Sequence, residues 1–560
     1  MDSFGHVAET SFSQASESIL KIKAANQLLF IERNCPSRKK SFILKAREAG
    51  SAMIANLLYA LRVLMWRLGN FLRRLGKVPD YVVFTLEGEY PRLRPPRGPF
   101  WQRWISPPPL SLQDLEEQFR TVAGDPRVKG VVLHLRPLAM PRAHLQTLRD
   151  LVRELKEAGK RVIAWSHSYH NSNYYVACAC DEVLLQPGGS VAPLGTRFSV
   201  VFLRDALASI GIQADIVQIS PYKTATDPLT RSEMSPEMRE MMNWLLDSLH
   251  EQFVKALAEG RGMSEDEARA LIDGSPYTDE EALAAKAVDA IVSEEDLSQH
   301  LAIDRKPARL APWDEARRRL RKRPPKRPGR YVALLRIEGD IVDGKSDRPP
   351  VKPPVPIPFV FNVRSGDLTV VQQARRVLRD KRAAALVVFI DSGGGSATAS
   401  EAMAAALAKV AEKKPVVVAT GGVAGSGGYY VATPGLYVVA QPGTITGSIG
   451  VLGGKIVSAK LLQKLLMNRE LLTRGQRVTM YDPGRPFSDE EREILWKHIQ
   501  RTYDVFLDRV SWSRKLSRDD VDKISGGRVW TGEQALRHKL VDELGDLSVA
   551  IKKARELAGL

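Results

Sequence analysis

Three features of this 560-residue chain predict an α/β fold made of two copies of one unit. The first is alternation. β-Branched runs at 82–88 (VVFTLEG), 161–165 (RVIAW) and 416–418 (VVV) are interleaved with helical apolar spacing, as at 145–158. That pattern marks βαβ units and a mostly parallel sheet flanked by helices. The second is repetition. QPGTITGSIG at 441–450 reads onto QPGGSVAPLG at 186–195, an offset of 255 residues. The third is that the same offset lays Tyr174-Tyr175-Val176-Ala177 on Tyr429-Tyr430-Val431-Ala432, and Asp227-Pro228 on Asp482-Pro483. YTDEEALAAKAVD (277–289) likewise matches WTGEQALRHKLVD (530–542). Self-similarity of this length is the signature of a duplicated domain.

Residues 1–50 are polar and mixed, with no basic and apolar leader pattern, and are expected to be a poorly structured extension. Residues 51–77 are expected to form an amphipathic, membrane-associating helix. Its apolar stretch from Met53 to Trp66 would rise about 21 Å, against the roughly 30 Å of a hydrocarbon core. An interfacial helix therefore fits better than a span. The first repeat is expected at 78–302, with strands at 82–88, 128–135 and 161–165. Helices follow from Ser235 to about Ala258 and from Ser264 to Ile272. A basic, Pro- and Arg-rich linker is expected at 303–330 and the second repeat at 331–560, restarting with the strand 331–341. The Pro-rich stretch 349–358 reads as a loop.

The net charge of +17 suggests nucleic acid until it is located. Residues 62–77 carry Arg62, Arg67, Arg73, Arg74 and Lys77 with no acid. Residues 305–330 carry twelve Lys and Arg against Asp314 and Glu315. The folded remainder is near neutral, so no nucleic-acid partner is expected. Hydrophobic content of 44% excludes a polytopic membrane protein. Cys35, Cys178 and Cys180 form neither a zinc knuckle nor a disulfide framework.

Chemistry concentrates at Val416–Gly450. A buried strand stops at Gly421-Gly422 and reopens at Gly425-Ser426-Gly427-Gly428. A serine at a glycine-lined strand-to-helix turn has bare amides beside it and a helix N-terminus behind it, which suits a nucleophile whose reaction develops an oxyanion. The two copies diverge in a complementary way. Ser426 aligns with Asn171, Ser448 with Pro193, and Gly393-Gly394-Gly395 with Leu138-Ala139-Met140. Conversely Lys223, in PYKTATDP, aligns with Val478. Each half holds part of one site. His498 and His538 lie on charged helical stretches, and His134, His167 and His170 are in the copy without the serine, so a His-based triad is disfavoured. Lys223 is the alternative base, provided burial brings its pKa down toward neutrality.

GVAGSGGYYVATPGLYVVAQPGTITGSIG, DSGGGSATASE (391–401) and PYKTATDPLTR (221–231) together resemble the signal peptide peptidase A (protease IV) family, in its long double-domain type. The resemblance covers about residues 80 to 556. It implies tandem Clp-protease/crotonase-like domains and a Ser/Lys-dyad endopeptidase without metal or cofactor. By motif position Ser426 would be the nucleophile, Lys223 the general base and Ser448 the serine that orients the lysine. Gly394, Gly395 and Gly427, with the Ser426 amide, would supply the oxyanion donors. Gly393 stands where the family commonly has proline. The resemblance further implies signal-peptide or other apolar peptide substrates, action on the outer side of the cytoplasmic membrane, and a homo-tetramer; the Arg cluster after Met53–Trp66 would instead favour a cytoplasmic body if that stretch spanned, so the side stays open. Two other readings stay open: a crotonase-like acyl-CoA enzyme indifferent to Ser426, and a non-catalytic membrane scaffold.

Overall fold

The computed structural model describes residues 56–74, 76–96, 109–219, 221–325, 329–349 and 363–560. The extension at 1–50, residues 51–55 of the expected first helix and nearly all of the Pro-rich loop lie outside them. The chain divides into two units, and both repeats belong to one of them. The other contains the helix that runs from residue 56, up to Leu72.

In the first repeat the strands are β1 (Tyr81–Gly88), β2 (Gly130–Leu138), β3 (Arg161–His170), β4 (Glu182–Ala192) and β5 (Gln213–Gln218). Three short ones follow: β6 (Tyr277–Thr278), β7 (Ala290–Ile291) and β8 (Leu310–Pro312). The second repeat holds β9 (Tyr331–Val342), β10 (Arg364–Gly366), β11 (Ala383–Gly395), β12 (Val416–Gly425), β13 (Tyr437–Ala440), β14 (Ile445–Gly447) and β15 (Leu452–Val457). It closes with β16 (Val529–Thr531) and β17 (Glu543–Leu544). The first sheet runs β6-β4-β3-β2-β1-β8 and the second β10-β9-β11-β12-β13-β17, both mainly parallel.

Both faces of each sheet are buried, which is why the strands read as continuous apolar runs. In β11, Leu386, Val388 and Ile390 enter one core, while Ala385, Val387 and Phe389 enter the other, against Leu547, Ala550 and Ala554. The long helices start where their caps predict. Ser235 accepts from Met238 N at the head of Pro236–Arg261, and Ser264 closes a capping box on Glu265–Asp273.

The duplication extends to single hydrogen bonds. Tyr174 Oη donates to Ala287 O and Tyr429 Oη to Leu540 O, each at 2.8 Å. Arg261 pairs with Asp289 and Arg514 with Asp542, each at 2.7 Å. Lys160 bridges the carbonyls of Asp125 and Val128, and Lys414 those of Val377 and Asp380, in each case where a helix gives way to the neighbouring strand.

The stretch expected as a linker is partly built into the first repeat. Its Leu310–Pro312 pairs with Tyr81–Val83, and Ala316 and Leu320 are buried in the first core. The outer strands of the two repeats meet in a separate two-stranded antiparallel ribbon, β5 with β15, in register from Gln213↔Val457 to Gln218↔Leu452. Ile219 N extends it by donating to Val451 O at 2.9 Å. Buried Asp215 on β5 fastens the ribbon to the second repeat, accepting Phe487 N–H at 2.7 Å and pairing with Arg492.

Asp215→Ala would orphan the buried Phe487 amide and release Arg492. We expect a loss of about 2–3 kcal/mol of stability, measured by urea unfolding. A change below about 0.5 kcal/mol would mean the ribbon is held by other contacts.

Candidate active site

Serine 426 sits where β12 turns into the helix Gly427–Ala432. Its backbone is at φ 52° and ψ −123°, a region L-residues rarely adopt. The turn is held by Ser426 N donating to Gly447 O at 2.8 Å and Tyr430 N donating to Ser426 O at 2.9 Å. Ser448 follows β14, also at positive φ (51°), with its amide donated to Arg528 O at 2.6 Å. Such outliers persist only where surroundings over-determine them, and they cluster at functional sites.

Lys223 arrives from the first repeat. The ribbon ends at Gln218, and five residues later the chain turns at Lys223 into the short helical turn Thr224–Thr226. The lysine is 3% exposed. Its Nζ lies 3.0 Å from Ser426 Oγ, 2.9 Å from Ser448 Oγ and 2.9 Å from Ser448 O. The three residues that the diverged copies contributed separately thus meet at one nitrogen.

Among the described residues no ion pair to Lys223 is present, and burial alone brings its pKa down to about 7. The three oxygens suit both protonation states. The neutral amine has two N–H donors and one lone pair. It can donate to Ser448 O and Ser448 Oγ while accepting the Ser426 hydroxyl proton. The ammonium has three donors for the same three oxygens. The proton can transfer without exchanging any of these heavy-atom partners.

The glycine loop of β11 packs against the serine turn. Gly394 is at φ +105°, and a β-carbon there would lie 2.6 Å from Gly427 N and 2.9 Å from Ser426 Cβ, so only glycine permits the approach. The amides divide unequally. Gly394 N–H is donated to Ser392 Oγ at 3.1 Å, and Ser426 N–H is taken by Gly447 O. Neither is free in this structure. Gly427, first residue of its helix, has no intrahelical partner for its amide. Ser396 N donates to Ile341 O at 2.8 Å, which ties the end of the glycine loop to β9. Gly395 N lies 3.3 Å from where a Gly427 β-carbon would be.

Histidine plays no part in this contact. His134 and His167 cluster with Trp165 on the first sheet. His144 lies 3.9 Å from Asp391, whose Oδ1 accepts Val423 N–H and ties the glycine loop to β12. Burial pushes the imidazole down and the carboxyl up, so both sit toward neutrality. Asn171, aligned with the serine, donates to Gly195 O instead. Among the described residues no three His, Cys, Asp or Glu side chains converge as a metal site.

Sequence patterns did not single out Gly526–Arg528. Tyr222 N donates to Gly526 O at 3.0 Å, Gly527 N donates to Ile449 O at 2.8 Å, and Arg528 O takes the Ser448 amide. Gly527 is at φ +93°, and a β-carbon there would overlap the Lys223 backbone. The only signal was a glycine pair ahead of the repeated Trp530-Thr531-Gly532. A cavity of about 560 Å³ opens beside this corner, lined by Ile219, Pro221, Trp496, Tyr503, Gly526 and Arg528.

The model of peptidase family S49 matches residues 154–307 and again 408–560, once in each repeat. Over 459 residues the chain is 30% identical to the chloroplastic serine protease SPPA of Arabidopsis thaliana, spanning 80% of this chain and 66% of that protein. It is 30% identical over 467 residues to Protease 4 of Salmonella typhi, spanning 80% of this chain and 72% of the relative. Protease 4 of Haemophilus influenzae is 28% identical over 474 residues, 80% and 74% of the two chains. The chain therefore belongs to peptidase family S49, as a serine-type peptidase in which the family's domain is present twice.

Proposed function

We propose that this chain is an endopeptidase working through a Ser426/Lys223 dyad and an acyl-enzyme. The observation that carries the reading is a lysine amine, buried with no counter-ion among the described residues, 3.0 Å from a serine hydroxyl on a strained turn. Neutral Lys223 Nζ takes the Ser426 hydroxyl proton as Oγ bonds to the substrate carbonyl carbon. The carbonyl electron pair moves onto oxygen, facing the amides of Gly395 and Gly427. The C–N bond then breaks as Lys223 returns its proton to the leaving amine. In the second half Lys223 takes a proton from water, hydroxide attacks the acyl carbon, and Ser426 leaves with that proton. Ser448, fixed by Arg528 O, holds the amine in line through its hydroxyl and carbonyl.

The substrates we propose are extended, apolar peptides such as remnant signal peptides, acted on at a membrane surface. Support for the surface comes from the helix over 56–74. Leu57, Leu58, Leu61, Leu64, Met65, Leu68, Phe71 and Leu72 are exposed and recur at helical spacing, while Arg62, Arg67, Arg73 and Arg74 flank the stripe. Among the described residues no helix is long and apolar enough to cross a membrane. We propose that this helix lies in the interface, with its arginines toward anionic headgroups. Assembly into a homo-oligomer belongs to the same proposal.

Ser426→Ala and Lys223→Ala are each expected to lower kcat by at least about a thousandfold toward a fluorogenic apolar peptide. Residual turnover near the wild-type level in either would sink the dyad. In the wild type kcat/KM is expected to rise with pH through about 7, because below that value the base is protonated.

The same burial predicts a stability signature. Between the folded value of about 7 and the unfolded value near 10.5, the unfolded chain holds a proton at this lysine that the folded chain lacks. Stability therefore rises with pH in that window and is flat, from this group, below it. Relative to Lys223→Met, the wild type should gain about 2 kcal/mol between pH 7 and 9 in chemical unfolding. An unchanged difference would mean an ordinary, hydrated lysine.

Leu61→Glu with Leu68→Glu should weaken binding of the full chain to anionic vesicles by at least about tenfold, read by co-sedimentation, without altering peptide hydrolysis in solution. Unchanged vesicle binding would remove this helix from the membrane contact.

A further inference from the structure

The strap Gly526–Arg528 touches both supports of the Lys223 amine, and Arg528 does so twice. Through its main chain it takes the Ser448 amide. All three polar groups of Ser448 are then committed: N–H to Arg528 O, and Oγ and O to Lys223 Nζ. A serine at positive φ has few ways to stay there, and the 2.6 Å bond to Arg528 is what its amide relies on.

Any residue could lend that carbonyl. The side chain does something more particular. The Arg528 guanidinium lies 3.9 Å over the ring of Tyr222, the residue before the lysine, and its Nη1 donates to Ser525 O at 3.0 Å. The far end of the ring is fixed by Tyr222 Oη donating to Glu240 at 2.8 Å. Beyond the ring, Trp244 stacks on Trp530 with centroids 4.9 Å apart and donates its indole N–H to Val529 O. The cavity beside the site is lined by Pro221, Gly526 and Arg528, the residues on either side of the contact between Gly527 and Lys223. The strap thus lies between that open space and the buried lysine, with Gly527 packed on Lys223 and the Arg528 side chain facing the cavity.

We propose that Arg528 is a positioning residue of the dyad: its carbonyl holds Ser448, and its guanidinium, through Tyr222, keeps the strap closed on the lysine so that the amine stays dry and in line with Ser426. The inference rests on the Ser426/Lys223 reading. The charged groups around this corner are Arg528 itself, Glu240 at the Tyr222 hydroxyl, Asp522 at the Tyr503 hydroxyl, Lys523 on the cavity wall, and Asp227, which accepts from Ser235. Among the described residues none of the acids pairs with Lys223, so water exclusion is what governs the amine. Removing the arginine side chain admits water from the cavity. The lysine then titrates higher, and less of it is neutral at a given pH.

The test is kcat and KM from about pH 6 to 10 for the full chain, comparing wild type, Arg528→Ala, Arg528→Lys, Tyr222→Leu and the double variant Arg528→Ala/Tyr222→Leu. Arg528→Ala should move the rising limb of kcat upward by about one unit and cut kcat near pH 7 about tenfold, with KM within about twofold. Arg528→Lys, which keeps a cation over the ring, should restore the limb. Tyr222→Leu should reproduce the shift, and the double variant should add nothing, as expected for two parts of one clamp. A limb that stays in place in both single variants, with activity tracking only the folded fraction, overturns the proposal. So does a rise in KM with kcat intact, which would make Arg528 a substrate contact. If Arg528→Ala does not fold, Tyr222→Leu carries the test alone. Failure of the dyad itself looks different: Lys223→Ala would keep turning over.

Discussion

A ribbon of six residue pairs, contributed half by each repeat, is the interaction on which the site depends. Neither repeat contains both the serine and the lysine of the proposed dyad. β5 carries the chain to Lys223, and β15 departs from Ser448 with only a few residues between, so the antiparallel pairing delivers the two ends to one point. The ribbon lies outside both large sheets, and its hold on the second repeat comes through buried Asp215. A duplicated fold could then lose the serine in one copy and the lysine in the other, provided this seam stayed closed.

Placing an amine in that seam is unfavourable if it is charged, since burial without a counter-ion costs several kcal/mol. In the proposed dyad the same cost is what makes the lysine useful. A base that is neutral near pH 7 can accept a serine proton, and three oxygens arranged for both the amine and the ammonium avoid reorganisation during transfer. The strain at Ser426 and Ser448, both at positive φ, belongs to the same arrangement: it aims two hydroxyls at one nitrogen.

Much of this was legible in the residues. The repeat offset exposed the duplication, and reading the copies against each other isolated Ser426, Ser448 and Lys223 because each had lost its counterpart. The proposed oxyanion donors were less legible. Whether an amide is free depends on competing acceptors, and nothing in the string Ser392-Gly393-Gly394-Gly395 says that Ser392 Oγ takes the Gly394 N–H. Composition also misled at 303–330, where Arg and Pro mask the few apolar residues, Leu310, Ala316 and Leu320, that extend the first repeat. Gly526–Arg528 stayed hidden because a main-chain carbonyl and a missing β-carbon leave almost no sequence trace.

The most direct test of the central claim is the rate at which a fluorophosphonate modifies the protein as pH is raised from about 6 to 10, with the modified peptide identified by mass mapping. The account predicts one adduct, on Ser426. Its rate should rise with an apparent pKa near 7 in the wild type and fall to background in Lys223→Ala. Modification of Ser426 at an equal rate in both proteins, or of a different serine, would contradict it.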